Sequence, residues 1–91
     1  MTTSTAKSHP PPKAVRAWVQ DHYLYVELDD LRRIGVPLRV YPKLRCAEPE
    51  HVANIQIRRA GQALRWEALD EDIQVLDMIG GKFPRKGGQA A

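Results

Sequence analysis

Ninety-one residues, 43% of them hydrophobic and 27% charged, suffice for one small domain with a modest core. No apolar run is long enough to span a bilayer, which argues against a membrane protein. The net charge of +3 divides unevenly: nine basic residues face eleven acidic ones between Ala14 and Gly81, while Lys7, Lys13, Lys82, Arg85 and Lys86 lie in the termini.

The basic excess therefore belongs to the ends and not to a folded face. Such ends attract nucleic acid weakly, but their composition fits solvated extensions better. Cys46 is the sole cysteine, so no internal disulfide forms, as expected in a reducing cytosol. The opening "MTTSTAKSHPPPK" has no apolar leader segment, and the expected location is cytoplasmic. A core this small also leaves room for stabilisation by a partner or a second copy of the chain.

In chain order, residues 1–13 read as a disordered arm ending in a polyproline-like spacer. "AVRAWVQDHYLYVEL" folds about a two-residue turn at Asp21-His22. That turn pairs Val19 with Leu24, Ala17 with Val26 and Val15 with Leu28 on one face, and Trp18 with Tyr25 and Arg16 with Glu27 on the other. A third strand, "RRIGVPLRV", carries Ile34, Val36, Leu38 and Val40 at period two. It sets Leu28 against Ile34, Val26 against Val36 and Leu24 against Leu38, with an odd-length bulged loop near Asp30-Leu31-Arg32. Pro37 marks this strand as an edge.

Pro42 and Pro49 each suit the first turn of a short helix, with Leu44, Cys46 or Ala47, and Val52 facing the core. "IQIRRAGQALRW" reads as a second hairpin turning at Ala60-Gly61, which pairs Ile57 with Leu64 and Ile55 with Trp66. Ile73, Leu76 and Ile79 recur at helical spacing, with Asp70, Glu71 and Asp72 at the start of that helix and Gly80-Gly81 as its left-handed stop. Residues 82–91 read as a disordered basic tail. The sum is a single α+β domain over residues 14–81, mainly antiparallel: three strands, two short helical turns, a hairpin and a short C-terminal helix.

The blocks "VPLRVYPKL", "AEPEHVANIQI" and "GQALRWEALDEDIQVLDMIGG" follow the first hairpin in an order that resembles the bacterial domain-of-unknown-function family DUF2442. Trp66, Leu69, Asp70, Asp72 and Ile73 are similar to that family's W-x-x-L-D-x-D-I signature. Two positions depart from it. Leu31 stands where the family often has glycine, and Gln74 stands where it often has serine, which shifts helix capping towards Asp70 or Asp72. The resemblance implies an antiparallel α+β domain and an antitoxin-like context beside another small protein. It implies no defined biochemical activity.

Chemistry finds little foothold. His9, His22 and His51 lack the spacing of a metal pair, and Ser4 and Ser8 both lie in the N-terminal arm. The acids Glu67, Asp70, Glu71 and Asp72 lack the alternating ligands and glycine turn of a calcium loop. No catalytic residue, cofactor or metal is expected.

Binding suits the residues better. Trp18, Tyr23 and Tyr25 share one face, which is either core or a partner-anchoring patch. Asp70, Glu71, Asp72 and Asp77 form a second candidate contact. Arg32, Arg33, Arg39, Arg58, Arg59 and Arg65 could instead touch nucleic acid, or form a solvated face with internal ion pairs. The expected activity is that of a non-catalytic interaction domain, antitoxin-like or regulatory, which masks a small, toxin-like protein encoded nearby. The alternative is a nucleic-acid-associated regulator.

Overall fold

The computed structural model describes residues 11–84, so most of the expected arm (1–10) and tail (85–91) lies outside the described residues. Three strands form the first antiparallel sheet: β1 (Ala14–Gln20), β2 (Tyr23–Leu28) and β3 (Arg33–Pro37), in the order β1-β2-β3. A 3₁₀ turn (Leu38–Val40) and two short helices follow, α1 (Pro42–Arg45) and α2 (Pro49–Ala53). The second antiparallel sheet contains β4 (Gln56–Arg58), β5 (Ala63–Trp66) and β6 (Glu71–Gln74), and the chain then enters α3 (Val75–Gly80). The protein is a small α+β domain of two three-stranded sheets and short helices.

The first hairpin forms at the expected turn. Asp21 and His22 both take positive φ (52° and 67°), as a two-residue connection between right-twisted strands requires. Val19↔Leu24, Ala17↔Val26, Trp18↔Tyr25 and Arg16↔Glu27 pair as the two-faced pattern predicts. The expected Val15–Leu28 pair does not form. A bulge between Ala14 and Arg16 sets Ala14 opposite Leu28 and leaves Val15 55% exposed. Gly61 packs closely here, because a Cβ on it would stand 2.7 Å from the Ala14 carbonyl oxygen. The β4–β5 turn thus lies directly on the start of β1.

Strand β3 keeps the expected faces but sits two residues closer, with Val26↔Ile34 and Leu24↔Val36. The loop that sets this register is short: the Leu28 N–H donates to the Arg32 carbonyl (2.8 Å), enclosing three residues. The last of them, Leu31, is left-handed (φ 75°), as a three-residue hairpin with a terminal bulge demands, and is 88% exposed. Two backbone bonds to Asp29 and Asp30 hold the loop: Lys13 N–H to Asp29 Oδ1 and Arg32 N–H to Asp30 Oδ1, both 3.1 Å. Pro37 does end an edge strand. Leu38 and Val40 therefore leave the ladder in the 3₁₀ turn, although both still pack half-buried on the core.

Both prolines open helices as expected, and Leu44 and Val52 are buried. Cys46 is exposed, so the half-buried Ala47 takes the inward position. In the second hairpin Ile57↔Leu64 forms. Ile55 precedes the ladder instead of pairing with Trp66, yet packs half-buried against the same core.

The segment after Trp66 differs from expectation. Asp70 is left-handed (φ 50°) and closes a 3₁₀ turn, and Glu71–Gln74 pairs with β5 as a third strand. Asp70, Glu71 and Asp72 therefore cap no helix. Helix α3 starts at Val75 and buries Val75 and Met78, whereas Leu76, read as inward, is 54% exposed. The local pattern Ile73–Gln74–Val75 is period two, and β5 offered it a ladder to complete. The glycine stop is present: Gly81 has φ 73°, and the Lys82 N–H returns to the Asp77 carbonyl (2.8 Å).

One core joins both sheets. Leu24, Val26, Leu28 and Val36 meet Leu64, Trp66 and Ile73, with Leu44, Val75 and Met78 closing the ends. Trp66 is fully buried, and its indole N–H donates to the Val52 carbonyl (2.8 Å). Phe83, grouped with the tail in the sequence pattern, lies edge-on to buried Tyr41 with ring centroids 5.7 Å apart.

Two outcomes follow for stability. Trp66→Ala removes a buried ring and leaves the Val52 carbonyl unpartnered, and is expected to cost about 3–5 kcal/mol in urea unfolding. A chain cut after Pro84 should melt as the full chain does. A cut after Gly81 loses Phe83 and the Lys82 bond and should cost about 1–2 kcal/mol; equal melting of the two truncations would show that Phe83 contributes nothing.

Candidate functional site

Strand alternation sends Leu24 and Val26 inward, so Trp18, Tyr23 and Tyr25 project from the opposite face of the first sheet. Trp18 stacks on Tyr25 with centroids 5.6 Å apart, and Tyr25 on Tyr23 at 6.0 Å, each pair inclined by 23°. The three rings form one continuous ladder across β1 and β2. The Arg16 guanidinium sits 4.5 Å from the Trp18 centroid and that of Arg33 5.6 Å, so cations border one end.

Gly35 makes this arrangement fit. It lies opposite Tyr25 on β3, and a Cβ there would come within 2.7 Å of the Tyr25 ring. The tyrosine lies across the strand because no side chain stands in its way. The residue pattern gave no direct sign of this, apart from a glycine interrupting an otherwise β-branched strand. Trp18 and Tyr25 are half-buried by their neighbours, and Tyr23 is 41% exposed.

The acidic candidates are organised differently. Arg65, directly opposite Asp72 in the β5–β6 ladder, reaches three carboxylates: Nη1 to Asp72 Oδ2 (2.8 Å), Nη2 to Asp70 Oδ1 (2.9 Å) and Nε to Glu67 Oε2 (3.0 Å). Arg58 adds a second contact to Glu67 (3.0 Å). Lys43 donates to the Asp70 carbonyl oxygen (3.1 Å) and lies 3.8 Å from Glu71. The hydrogen bonds from Arg65 hold the Glu67 and Asp70 carboxyls below their ordinary values and push the Arg65 guanidinium up. Asp77 lies apart from this network, in the first turn of α3. The acidic segment thus belongs to the second sheet, and much of its charge is satisfied internally.

The arginines do not form one basic face. Arg32 binds Asp30 (2.9 Å), Arg33 lies 4.0 Å from Glu27, and Arg58 and Arg65 hold the acids just described. Arg39 and Arg59 have no carboxylate partner among the described residues. No three His, Cys, Asp or Glu side chains among the described residues are grouped so as to hold a metal ion.

The fold has counterparts elsewhere. Residues 14–84 match the family described as protein of unknown function (DUF2442), and the chain belongs to that family. A protein of unknown function from Rhodospirillum rubrum is 25% identical, with a TM-score of 0.80 over 89% of this chain and 100% of its own. An uncharacterised protein from Chromobacterium violaceum shares the fold at 15% identity, with a TM-score of 0.70 over 91% of this chain and 75% of its own. No curated protein matches the sequence. The signature residues are structural: Trp66 fills the core, Asp70 and Asp72 bind Arg65, and Ile73 pairs with Leu64.

The Arg65 network predicts a pH dependence. Glu67 and Asp70 titrate lower in the folded than in the unfolded chain, so their contribution is present above the ordinary carboxylate range and lost as pH falls through it. The gap in melting temperature between the wild type and Arg65→Ala should therefore be widest above about pH 5 and should narrow towards about pH 3. These carboxylates are exposed, so salt should shrink the gap as well. A gap independent of pH would mean that Arg65 acts through packing alone.

Proposed function

We propose that this chain is a non-catalytic protein–protein interaction domain that docks on another small bacterial protein, as an antitoxin or regulatory partner does, through the aromatic ladder of the first sheet. The observation that carries this reading is the stacked row of Trp18, Tyr25 and Tyr23 on the sheet face opposite the core, with Tyr23 exposed. Trp and Tyr dominate the energetics of protein interfaces, because they bury large areas at little entropic cost. Rings already ordered by mutual stacking, with Tyr25 seated over Gly35, lose still less freedom on binding.

The function itself would be exerted by masking: a partner covered at this face loses access to its own target. The acidic contacts expected at Asp70 and Asp72 contribute less in this reading, since Arg65 already neutralises them. Pairing likewise weakens the nucleic-acid alternative, which needs Arg32, Arg33, Arg58 and Arg65 free of their carboxylates. A lone exposed Cys46 suits a reducing cytoplasm.

Co-expression with the product of the adjacent gene, followed by copurification, tests the proposal. The wild type should retain the partner. Trp18→Ala should weaken binding by about 30-fold or more, the effect of losing one central aromatic anchor. Gly35→Ala should weaken it too, by lifting the Tyr25 ring while leaving the fold intact. If both variants retain the partner as the wild type does, the ladder is not the contact. A salt-sensitive shift of nucleic acid by the isolated wild type would favour the alternative instead.

A further inference from the structure

Beyond the aromatic ladder, a second surface combines charge and apolar lining. Five described cations lack a carboxylate partner among the described residues: Lys13, Arg39, Arg45, Arg59 and Lys82. Three of them, Arg39, Arg45 and Lys82, line one cleft of about 540 Å³ between the 3₁₀ turn, α1 and the segment after α3. Phe83 and Pro84 form its apolar rim. Elsewhere the fold matches most of its arginines with acids. Here it gathers cations with no carboxylate in the cleft lining, although Lys82, Phe83 and Pro84 also border a neighbouring cleft lined by Glu71, Asp72 and Asp77.

Arg39 and Arg45 also line a neighbouring cleft of about 840 Å³, whose walls include Val19, Leu38, Leu44 and Val52. The two clefts share these arginines, so basic and apolar surface adjoin there. Asp21 is the only acid along either one. Volumes of this size admit several side chains of a bound segment.

We propose that this composite groove docks an acidic, apolar peptide segment of a partner protein, with carboxylates at Arg39, Arg45 and Lys82 and aliphatic side chains along the half-buried Val19, Leu38 and Ala47. Charge complementarity selects the occupant. The chain's own termini are unsuited to it, because residues 1–13 and 82–91 contain Lys7, Lys13, Lys82, Arg85 and Lys86 and no acidic side chain. A nucleic-acid backbone would satisfy the cations but would leave the aliphatic groove unfilled. The groove is distinct from the aromatic ladder, which it meets only at Tyr23.

Selection from a phage library of random peptides of about twelve residues, panned on the full chain, tests this inference. Acidic sequences punctuated by Leu, Ile or Val should be enriched. Peptides made from them should bind the Arg39→Glu/Arg45→Glu variant about tenfold more weakly or worse. They should bind Trp18→Ala as they bind the wild type, which separates this surface from the ladder. Both arginines are exposed, so the variant should melt as the wild type does, and Arg39→Gln/Arg45→Gln should give an intermediate loss. The inference is overturned if no acidic, apolar consensus emerges, or if affinity survives the charge reversal. It is equally overturned if single-stranded RNA of about ten nucleotides displaces the peptides and itself requires both arginines.

Discussion

The hydrogen bond between the Trp66 indole and the Val52 carbonyl joins the parts of this domain that could not stand alone. Helix α2 has five residues, far too few to persist on its own helical bonds. Its last carbonyls have no intrahelical donor, and a tryptophan inside an apolar core must find an acceptor for its N–H. Each group supplies what the other lacks. The bond fixes α2 against β5 and keeps Val52 and Pro49 in the wall of the apolar groove. The same ring touches the core shared by both sheets, so groove, helix and sheets are set by one side chain.

Around that core the polar residues are sorted by task. On the second sheet, cation and carboxylate cancel locally through Arg65, Arg58 and Lys43. On the outer face of the first sheet, aromatic rings replace charge, with Arg16 and Arg33 at the margin. At the Arg39–Arg45–Lys82 cleft, three described cations gather without an ion-pair partner among the described residues. The outer surface is thus aromatic on one sheet and basic at one cleft, while most of the described acids are held by the domain's own cations.

The first hairpin was legible because two independent patterns, apolar on one face and complementary on the other, fix the same register. The third strand kept its faces but slipped by two residues, since alternation is blind to even shifts and only the loop geometry resolves them. The run from Asp70 to Ile79 misled for a different reason. Consecutive acids before apolar residues resemble a capped helix, yet the unsatisfied edge of β5 recruited Glu71–Gln74 into a ladder and delayed the helix to Val75. Tertiary context overrode local preference there. The aromatic candidates were visible as a set, but Gly35, which lets Tyr25 lie flat, has no side chain to announce itself. The groove was hidden as well, because Arg39, Arg45 and Lys82 meet only after two turns and a helix have been placed.

The β2–β3 loop bears on how the domain uses its stability. Leu31 holds a left-handed backbone that costs a side-chain-bearing residue about 1–2 kcal/mol relative to its usual conformation. At 88% exposure its side chain recovers almost none of that through burial. The conformation is imposed from outside, by Asp29 on Lys13 and Asp30 on Arg32. The native state therefore carries a latent reserve: the strain sits in an exposed loop, joined to buried Leu28 by backbone hydrogen bonds and apart from the packing of the core.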